Sequence, residues 1–262
     1  MTAVPDERAS TLRRIREALS DLVADGVDFV PRPPRATVGT RATAPAPARP
    51  APAFQPRVAA LVEPAQTSAE AASRGQSLLA VRAELGDCRR CRLCEKRSEI
   101  VFGEGAADAR VMFVGEGPGE EEDKSGRPFV GRAGELLSKI IESVGWRRED
   151  VYICNIVKCR PPGNRDPQPD EIAACLPFLI GQIRAIAPRA IVTLGKPAIS
   201  TLLGRPVAIT RMRGRWLEFQ GTPVMPTYHP AYLLRNYTRE TRQAVWDDLR
   251  AVRERVEGAG AG

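Results

Sequence analysis

Four short apolar segments alternate with helical patterns along the C-terminal part of the chain, and this alternation restricts the possible folds more than any other feature. The apolar segments, which end near glycine, asparagine or proline, are residues 110–114, 151–157, 190–194 and 224–228. The helical patterns cover residues 134–144, 170–186, 197–203 and 240–256. Strands that alternate with helices form a mainly parallel sheet covered by helices on both faces. We therefore predict an α/β fold.

The first 76 residues differ in composition from the rest. An apolar stripe at helical spacing predicts one short helix, with Leu12, Ile15, Leu19 and Leu22 on its apolar side. Residues 31–66 contain nine prolines and many alanines, with five arginines against the single acid Glu63. This composition is typical of an extended, partly disordered linker. The predicted organisation is a helix in residues 1–30, a linker over 31–76, a folded domain over 77–257 and a flexible tail over 258–262.

The charge of the chain favours an anionic partner. Lysine and arginine number 39 against 32 aspartate and glutamate, a formal net charge of +7. Nucleic acid is one such partner, although a basic enzyme with a small-molecule substrate would have the same composition. The N-terminal residues contain acids and no apolar core, and no run approaches 18 uninterrupted apolar residues. We therefore expect no secretory signal, no membrane contact, and a cytoplasmic protein associated with the nucleoid.

Ligands of open parallel sheets bind beyond the carboxyl ends of the strands, so the residues after each predicted strand are candidates for a site. After the first strand, three glycines within residues 115–119 precede four consecutive carboxylates at residues 120–123. Carboxylates beside a phosphate are unfavourable. This loop is therefore expected to approach a neutral ligand or a water molecule rather than a nucleotide phosphate.

Two further strand ends carry polar side chains. Asn155 offers a hydrogen-bond acceptor and a donor in one plane, which is the complement of an imide edge such as that of uracil. The signal is weak by itself, because asparagine at a strand end often caps a turn. His229 is the only histidine of the chain and precedes a proline. A catalytic and a structural role stay equally open for it.

The cysteines indicate a metal or cluster site. Cys88, Cys91 and Cys94 form two overlapping pairs separated by two residues, and Cys159 and Cys175 lie 16 residues apart. One close pair together with two distant cysteines is typical of a four-cysteine site for zinc or a [4Fe-4S] cluster. Spacing alone does not decide which two members of the triplet are ligands.

The other cysteine positions differ in their surroundings. Cys154 lies in an apolar strand and is predicted to be a small buried hydrophobic residue. Cys175 lies on the apolar side of a helical pattern, and Pro177 follows it. We predict that Pro177 interrupts the helix, so that Cys175 points towards a ligand from a bend.

Six segments resemble one known family, in order and at compatible spacings. They are CRRCRL at 88–93, VFGEG at 101–105, GEGPGEEED at 115–123, GRPFVG at 126–131, NIVKCRPP at 155–162 and HPAYLLRN at 229–236. The chain is similar to the family 4 (type a) uracil-DNA glycosylases, the iron-sulfur members of the uracil-DNA glycosylase superfamily. The similarity covers about residues 86–255. It implies the three-layer fold of that superfamily and hydrolysis of the bond between uracil and deoxyribose, which leaves an abasic site in DNA.

The resemblance also implies a ligand set and a uracil pocket. A [4Fe-4S] cluster would be bound by Cys88, Cys91, Cys159 and Cys175, with Cys94 as an additional cysteine. Phe129 would stack on the extruded base, Asn155 would read the uracil edge and His229 would meet its O2 side. The cluster would tie the entry of the domain to the segment that carries Asn155.

Acidic residues of the first loop complete the implied site. Glu116 and Gly117 would lie against the base and sugar, and Glu122 near the 5-position of the ring, where a bulky group excludes the methyl of thymine. In better-known relatives the residue at Gly117 is an aspartate that activates water. The resemblance therefore implies His229, Glu116 and Glu122 as catalytic residues and leaves the activation of water open between the two glutamates and a backbone carbonyl.

Basic residues near these loops are the expected contacts to the DNA backbone, for which a solvated surface role stays equally open. They are Arg160, Arg165, Arg211, Arg213, Arg215 and Arg235. We expect a monomer that binds single- or double-stranded DNA containing uracil. For the N-terminal extension, weak contact with DNA and binding of another protein are both open.

Two other classes of function compete with an enzyme. One is a uracil-DNA binding protein without turnover, including relatives that trap DNA covalently through a histidine. Such relatives carry a basic insertion after the first loop, whereas residues 123–128 here run straight on. The other is a structural zinc or iron-sulfur protein, which leaves Asn155, Phe129 and His229 unexplained.

Overall fold

A computed structural model describes residues 68–258, with side chains from residue 72 onwards. Within these residues the strands are β1 (Glu104–Gly105), β2 (Val111–Gly115), β3 (Tyr152–Asn155), β4 (Ala190–Leu194), β5 (Leu217–Phe219) and β6 (Thr222–Thr227). The helices are α1 (Ser68–Leu85), α2 (Glu120–Ser125), α3 (Arg132–Ser143), α4 (Pro169–Ile186), α5 (Lys196–Leu203), α6 (Ile209–Met212), α7 (Pro230–Arg235) and α8 (Arg239–Gly258).

The strands form one sheet in the order β1-β3-β2-β4-β6-β5. The four predicted strands lie side by side and are parallel, as in the pairing of Phe113 with Ile153 and of Phe113 with Val192. The edge strands β1 and β5 are antiparallel to their neighbours. They escaped prediction because two or three residues are too few to show a strand period. The predicted mainly parallel α/β fold is confirmed.

Side chains alternate between the two faces of the sheet and so divide the core into two layers. Met112 and Val114 of β2 pack on one face with α1, α4 and α5. Val111 and Phe113 pack on the other face with α3 and α8. Helices cover both faces, so β2, β3 and β4 are buried along their whole length and the arrangement has three layers.

Helix α1 begins before the predicted start of the folded domain. The prediction put that start at residue 77, whereas α1 starts at Ser68 and runs across it. Arg74 on this helix donates a hydrogen bond of 3.1 Å to the carbonyl of Ile186, and Leu85 is buried in the core. The predicted helix in residues 1–30, the linker up to residue 67 and the tail beyond Gly258 lie outside the described residues.

Pro177 does not interrupt α4, so the predicted interruption of this helix was wrong. The helix continues from Pro169 to Ile186 with Pro177 inside it. A proline removes one backbone donor from a helix, and the buried side chains of Phe178 and Leu179 hold this helix against the sheet.

Within residues 68–258, no helix has the length and apolar character that a membrane span requires.

Candidate active site

A cavity of about 630 Å³ lies at the carboxyl ends of the parallel strands. The chain after β2 leads to β3 on one side, and the chain after β4 leads to β5 and β6 on the other, which opens a crevice between β2 and β4. The cavity is lined by Glu116, Gly117, Pro118, Gly119, Glu122, Phe129, Ala133, Asn155, Pro161, Asn164, Arg165, Pro167, Gly195, Lys196, Pro197, Ile209, Tyr228, His229, Ala231, Tyr232 and Arg235. All the residues expected to contact the base therefore lie around one cavity.

Asn155 is the last residue of β3 and is 1% exposed. Its Oδ1 atom is buried and has no hydrogen-bond partner within the described part of the chain. Across the sheet, a Cβ atom on Gly115 would lie 2.4 Å from this Oδ1 and 2.6 Å from the ring of Phe129. Glycine is therefore required at residue 115, because any side chain would displace the two groups that face the cavity. An unpaired buried acceptor is costly unless a ligand completes it.

Phe129 has a left-handed backbone conformation, with φ of 53°. Such a conformation costs on the order of 1–3 kcal/mol in a residue other than glycine, asparagine or aspartate. Its carbonyl lies so close to α3 that a Cβ atom on Gly134 would be 1.9 Å from the carbonyl oxygen. The ring centroid lies 5.7 Å from that of His229, with 35° between the planes. The strained backbone thus places an aromatic face on the cavity beside the histidine.

Glu122 holds the loop that carries Phe129. Its Oε1 atom accepts hydrogen bonds from the amides of Val130 (2.9 Å) and Gly131 (3.0 Å), and Oε2 accepts one from Gly119 (3.1 Å). The carboxylate therefore ties the first loop to the loop of Phe129. Sequence reasoning assigned Glu122 to the wall of the cavity and did not show this bracing contact.

His229 presents a neutral ring to the cavity. Its Nδ1 atom accepts a hydrogen bond of 3.0 Å from the amide of Ala231, at the start of α7. Burial of the ring, aided by the positive charge of Arg235, lowers the pKa of His229 to about 4, with Glu122 opposing the shift. At neutral pH the single ring proton is consequently on Nε2, which is a hydrogen-bond donor.

Glu116 is the acid whose ionisation is most perturbed in the cavity. Its Oε1 atom is buried and has no hydrogen-bond partner within residues 72–258. Burial, followed by the neighbouring carboxylate of Asp166, raises the pKa of Glu116 to about 7. A carboxylate with such a pKa is suited to take up a proton near neutral pH. Asp166 was missed, because an aspartate in an irregular segment carries no signal of a distant partner.

Comparison with known proteins identifies the family of this chain. A sequence model of the uracil DNA glycosylase superfamily matches residues 102–250. The chain belongs to this superfamily. It is 52% identical to the type-4 uracil-DNA glycosylase of Thermotoga maritima over 175 residues, which are 66% of this chain and 91% of the relative.

Two further relatives allow the similarity to type-4 and type-5 members to be compared. The type-4 enzyme of Archaeoglobus fulgidus is 40% identical over 65% of this chain and 89% of its own. The type-5 enzyme of Pyrobaculum aerophilum is 34% identical over 56% of this chain and 72% of its own. The chain is thus more similar to these type-4 members than to this type-5 member, as its motifs predicted.

Only two of the arginines predicted to bind DNA line the cavity of this superfamily member, Arg165 and Arg235. Arg165 also donates two hydrogen bonds to the buried carboxylate of Glu171. Arg235 is exposed beside the cavity at the end of α7. Of the six predicted arginines, only these two therefore have a place at the cavity.

The other predicted arginines have different surroundings. Arg213 is paired with the buried carboxylate of Asp248 through hydrogen bonds of 2.6 and 3.1 Å, so it anchors α8. Arg160 is bonded to Asn164 and Glu120. Exposed positions are occupied by Arg211 and Arg215. Sequence reasoning could not separate paired from exposed arginines, because their partners are distant along the chain.

The predicted cysteine ligands lie in one part of the superfamily fold. Cys88 and Cys91 pack against the same core cluster that contains Cys159 and Cys175. All six cysteines are free thiols, and Cys154 is buried in β3 as predicted. In the described part of the chain, no three ligating side chains are close enough to hold a metal ion as they stand.

Arg97 joins the two halves of this cysteine group. Its guanidinium donates to the carbonyl of Cys88 (2.6 Å) and to the Sγ atom of Cys159 (3.4 Å). Arg90 donates to the Sγ atom of Cys88 at 3.5 Å, and the amide of Lys158 to that of Cys175 at 3.3 Å. Hydrogen bonds to sulfur are a usual feature around cysteine-bound iron-sulfur clusters.

Proposed function

We propose that this chain releases uracil from DNA by hydrolysing the N-glycosidic bond of an extruded deoxyuridine. The buried, unpartnered Oδ1 atom of Asn155 is the observation that carries the proposal. A uracil whose N3-H points at this atom would complete its hydrogen bonding, while the amide group of Asn155 donates to O4. Cytosine has no hydrogen on N3 and a donor at position 4, so it would leave the same acceptor unpaired. The type-4 relatives are named for the same activity.

His229 would stabilise the leaving group. Negative charge develops on O2 and N1 of uracil as the bond to the sugar breaks. A neutral imidazole with its proton on Nε2 can donate a hydrogen bond to O2. Phe129, 5.7 Å from His229 between ring centroids, would stack on the base and hold it in line with this donor.

Water would be positioned and deprotonated by Glu116. Its Oε1 atom is buried and has no hydrogen-bond partner among the described residues, and its pKa is about 7. Gly117 has no side chain that could deprotonate the water. Glu122 would bound the space at the 5-position of the ring, with its carboxylate fixed by three backbone amides.

The rate of uracil release is expected to depend on pH through Glu116. The carboxylate is the active form, so the rate should rise with pH, reach half of its maximum at about pH 7 and level off above it. Glu116→Gln should abolish this inflection and lower the plateau by about a hundredfold, the lower end of the range for loss of a general base. Single-turnover rates measured across the pH range test this. Glu120→Gln, which changes an exposed carboxylate at the start of α2, should keep the original profile. An inflection near 7 that persists in Glu116→Gln would assign it to another group.

We further propose that Cys88, Cys91, Cys159 and Cys175 bind a [4Fe-4S] cluster. Their chemistry fits such a group, because four free thiols share one region and N-H groups from Arg90, Arg97 and Lys158 point at their sulfurs. When bound, the cluster would supply a cross-link between the segment after α1 and the segment that follows Asn155.

Iron content tests the ligand set. Anaerobically purified protein should contain about four iron and four sulfide per chain. Cys159→Ala should lose the cluster and much of the soluble protein, whereas Cys94→Ala and Cys154→Ala should retain the iron. Stoichiometric zinc without visible absorbance would contradict the cluster, and a colourless Cys94→Ala protein would place Cys94 among the ligands.

A further inference from the structure

Lys158 is completely buried, at 0% exposure, which is rare for a lysine. Its Nζ atom donates hydrogen bonds to the main-chain carbonyl of Asn155 (2.7 Å) and to Oε1 of Gln182 (2.6 Å). Among the described residues no aspartate or glutamate forms an ion pair with it. A buried ammonium group without a carboxylate is costly, so its two oxygen partners need to be held firmly.

The second partner of Lys158 belongs to a network that crosses the core. The amide nitrogen of Gln182 donates to the carbonyl of Phe102 (2.8 Å) and to the hydroxyl of Tyr152 (3.0 Å). Helix α4, strand β3 and the segment before β1 are thereby joined at one point. The network fixes the position of the ammonium group relative to the sheet.

The backbone of Lys158 contacts the cysteine group. Its amide donates to the Sγ atom of Cys175 at 3.3 Å, and its neighbour in sequence is Cys159. Its carbonyl accepts a hydrogen bond of 2.8 Å from the amide of Val101. One residue therefore has its backbone at the cysteine group and its side chain at the residue that faces the base.

We propose that Lys158 is a positioning residue for uracil recognition, which links the cysteine group to Asn155 by holding the main-chain carbonyl of that asparagine. The proposal rests on the uracil-releasing function proposed above. Oδ1 of Asn155 has no hydrogen-bond partner among the described residues, so the placement of its side chain depends on how firmly its backbone is held. The hydrogen bond from Lys158 acts where β3 ends and the chain leaves the sheet.

Free uracil is the probe that tests this role, since it occupies the base pocket without using phosphate contacts. Lys158→Met keeps the length and burial of the side chain and removes both hydrogen bonds. We expect its inhibition constant for free uracil to rise by about tenfold, the loss typical of one charged hydrogen bond. Tyr152→Phe is the matched control, because it removes a hydroxyl from the same network and leaves the contact with Asn155 in place. Its inhibition constant should stay within about twofold of wild type.

Iron content and melting temperature, measured on the same samples, separate positioning from stability. A merely structural Lys158 would lower the melting temperature of Lys158→Met and leave uracil inhibition, per iron-containing molecule, unchanged, and that result would overturn the proposal. If Lys158→Met is insoluble, Gln182→Leu is measured instead. It removes one of the two partners of the ammonium group and should weaken uracil inhibition by about threefold; no change would overturn the proposal equally.

The proposed function is tested separately by the wild type in the same series. Wild-type protein that releases no uracil from DNA would refute uracil excision itself. If the wild type is active, and free uracil inhibits it and Lys158→Met equally strongly, only the role of Lys158 is refuted.

Discussion

Replacement of His229 by alanine should slow the release of uracil by about tenfold to a thousandfold, the range expected for the loss of one electrostatic donor to a developing anion. The neutral ring has its Nδ1 atom occupied by the amide of Ala231 and its Nε2-H free for the base. Affinity for uracil-containing DNA should fall much less, because phosphate contacts and base stacking supply most of it. Single-turnover kinetics together with equilibrium binding measure the two effects.

A second substitution separates chemistry from helix capping. His229→Ala also removes the acceptor at the start of α7, which costs about 1 kcal/mol of stability in a typical helix. His229→Ser supplies a hydroxyl acceptor for the cap but is too short to reach the base. It should therefore recover the melting temperature and not the rate. Recovery of both would show that His229 acts through α7 alone.

Denaturing gels of the same reactions address the alternative of covalent trapping. A nucleophilic His229 would give wild-type protein a stable adduct with uracil-DNA, and His229→Ala would abolish it. We expect no adduct, because residues 123–128 run on from the first loop without a basic insertion. A stable adduct without free abasic product would show that the chain is a uracil-DNA binding protein and not a glycosylase.

Asn155→Asp should reduce uracil release by about a hundredfold or more. A carboxylate accepts from N3-H but does not donate to O4, and it repels the anion that forms on the base. The side chain is 1% exposed, so water cannot make up the lost donor. Single-turnover kinetics on uracil-containing and cytosine-containing oligonucleotides measure the change, and a protonated carboxyl would be detected as release of cytosine.

Asn236→Asp is the matched control for this substitution. It introduces the same charge next to Arg235, which lines the cavity, on a side chain that bonds only to the carbonyl of Tyr232 in the described part of the chain. Its rate should stay within about twofold of wild type. A wild-type rate in Asn155→Asp would show that Asn155 does not recognise uracil. Equal losses of rate in Asn155→Asp and Asn236→Asp would show that the added negative charge alone slows the reaction.

Much of the fold and the location of the site were predictable from the sequence, because the signals are local. Apolar runs and helical periodicity indicated the four parallel strands and the order of helices between them. Parallel strands have their carboxyl ends at one edge of the sheet, so Asn155 and His229 were expected near each other although 74 residues separate them. The structure places both at the same cavity.

The state of the site residues was not predictable, because it depends on contacts between distant segments. The neutral ring of His229 follows from burial, and the raised pKa of Glu116 follows from burial and from Asp166. Nothing in the sequence marks Lys158 as buried, yet it lies in the core between Asn155 and Gln182. Burial is a property of the packed chain, which a single sequence does not record.

The sequence by itself therefore determined the class of fold, the six motifs of the family and the residue types at each strand end. Only the tertiary structure decided which of those residues face the cavity, which arginines are already paired, and that Pro177 remains inside α4. The physical reason is the range of the interactions: hydrophobic periodicity and turn preference act between neighbours in sequence, whereas desolvation, ion pairing and hydrogen bonding to a distant backbone arise only once the segments have packed.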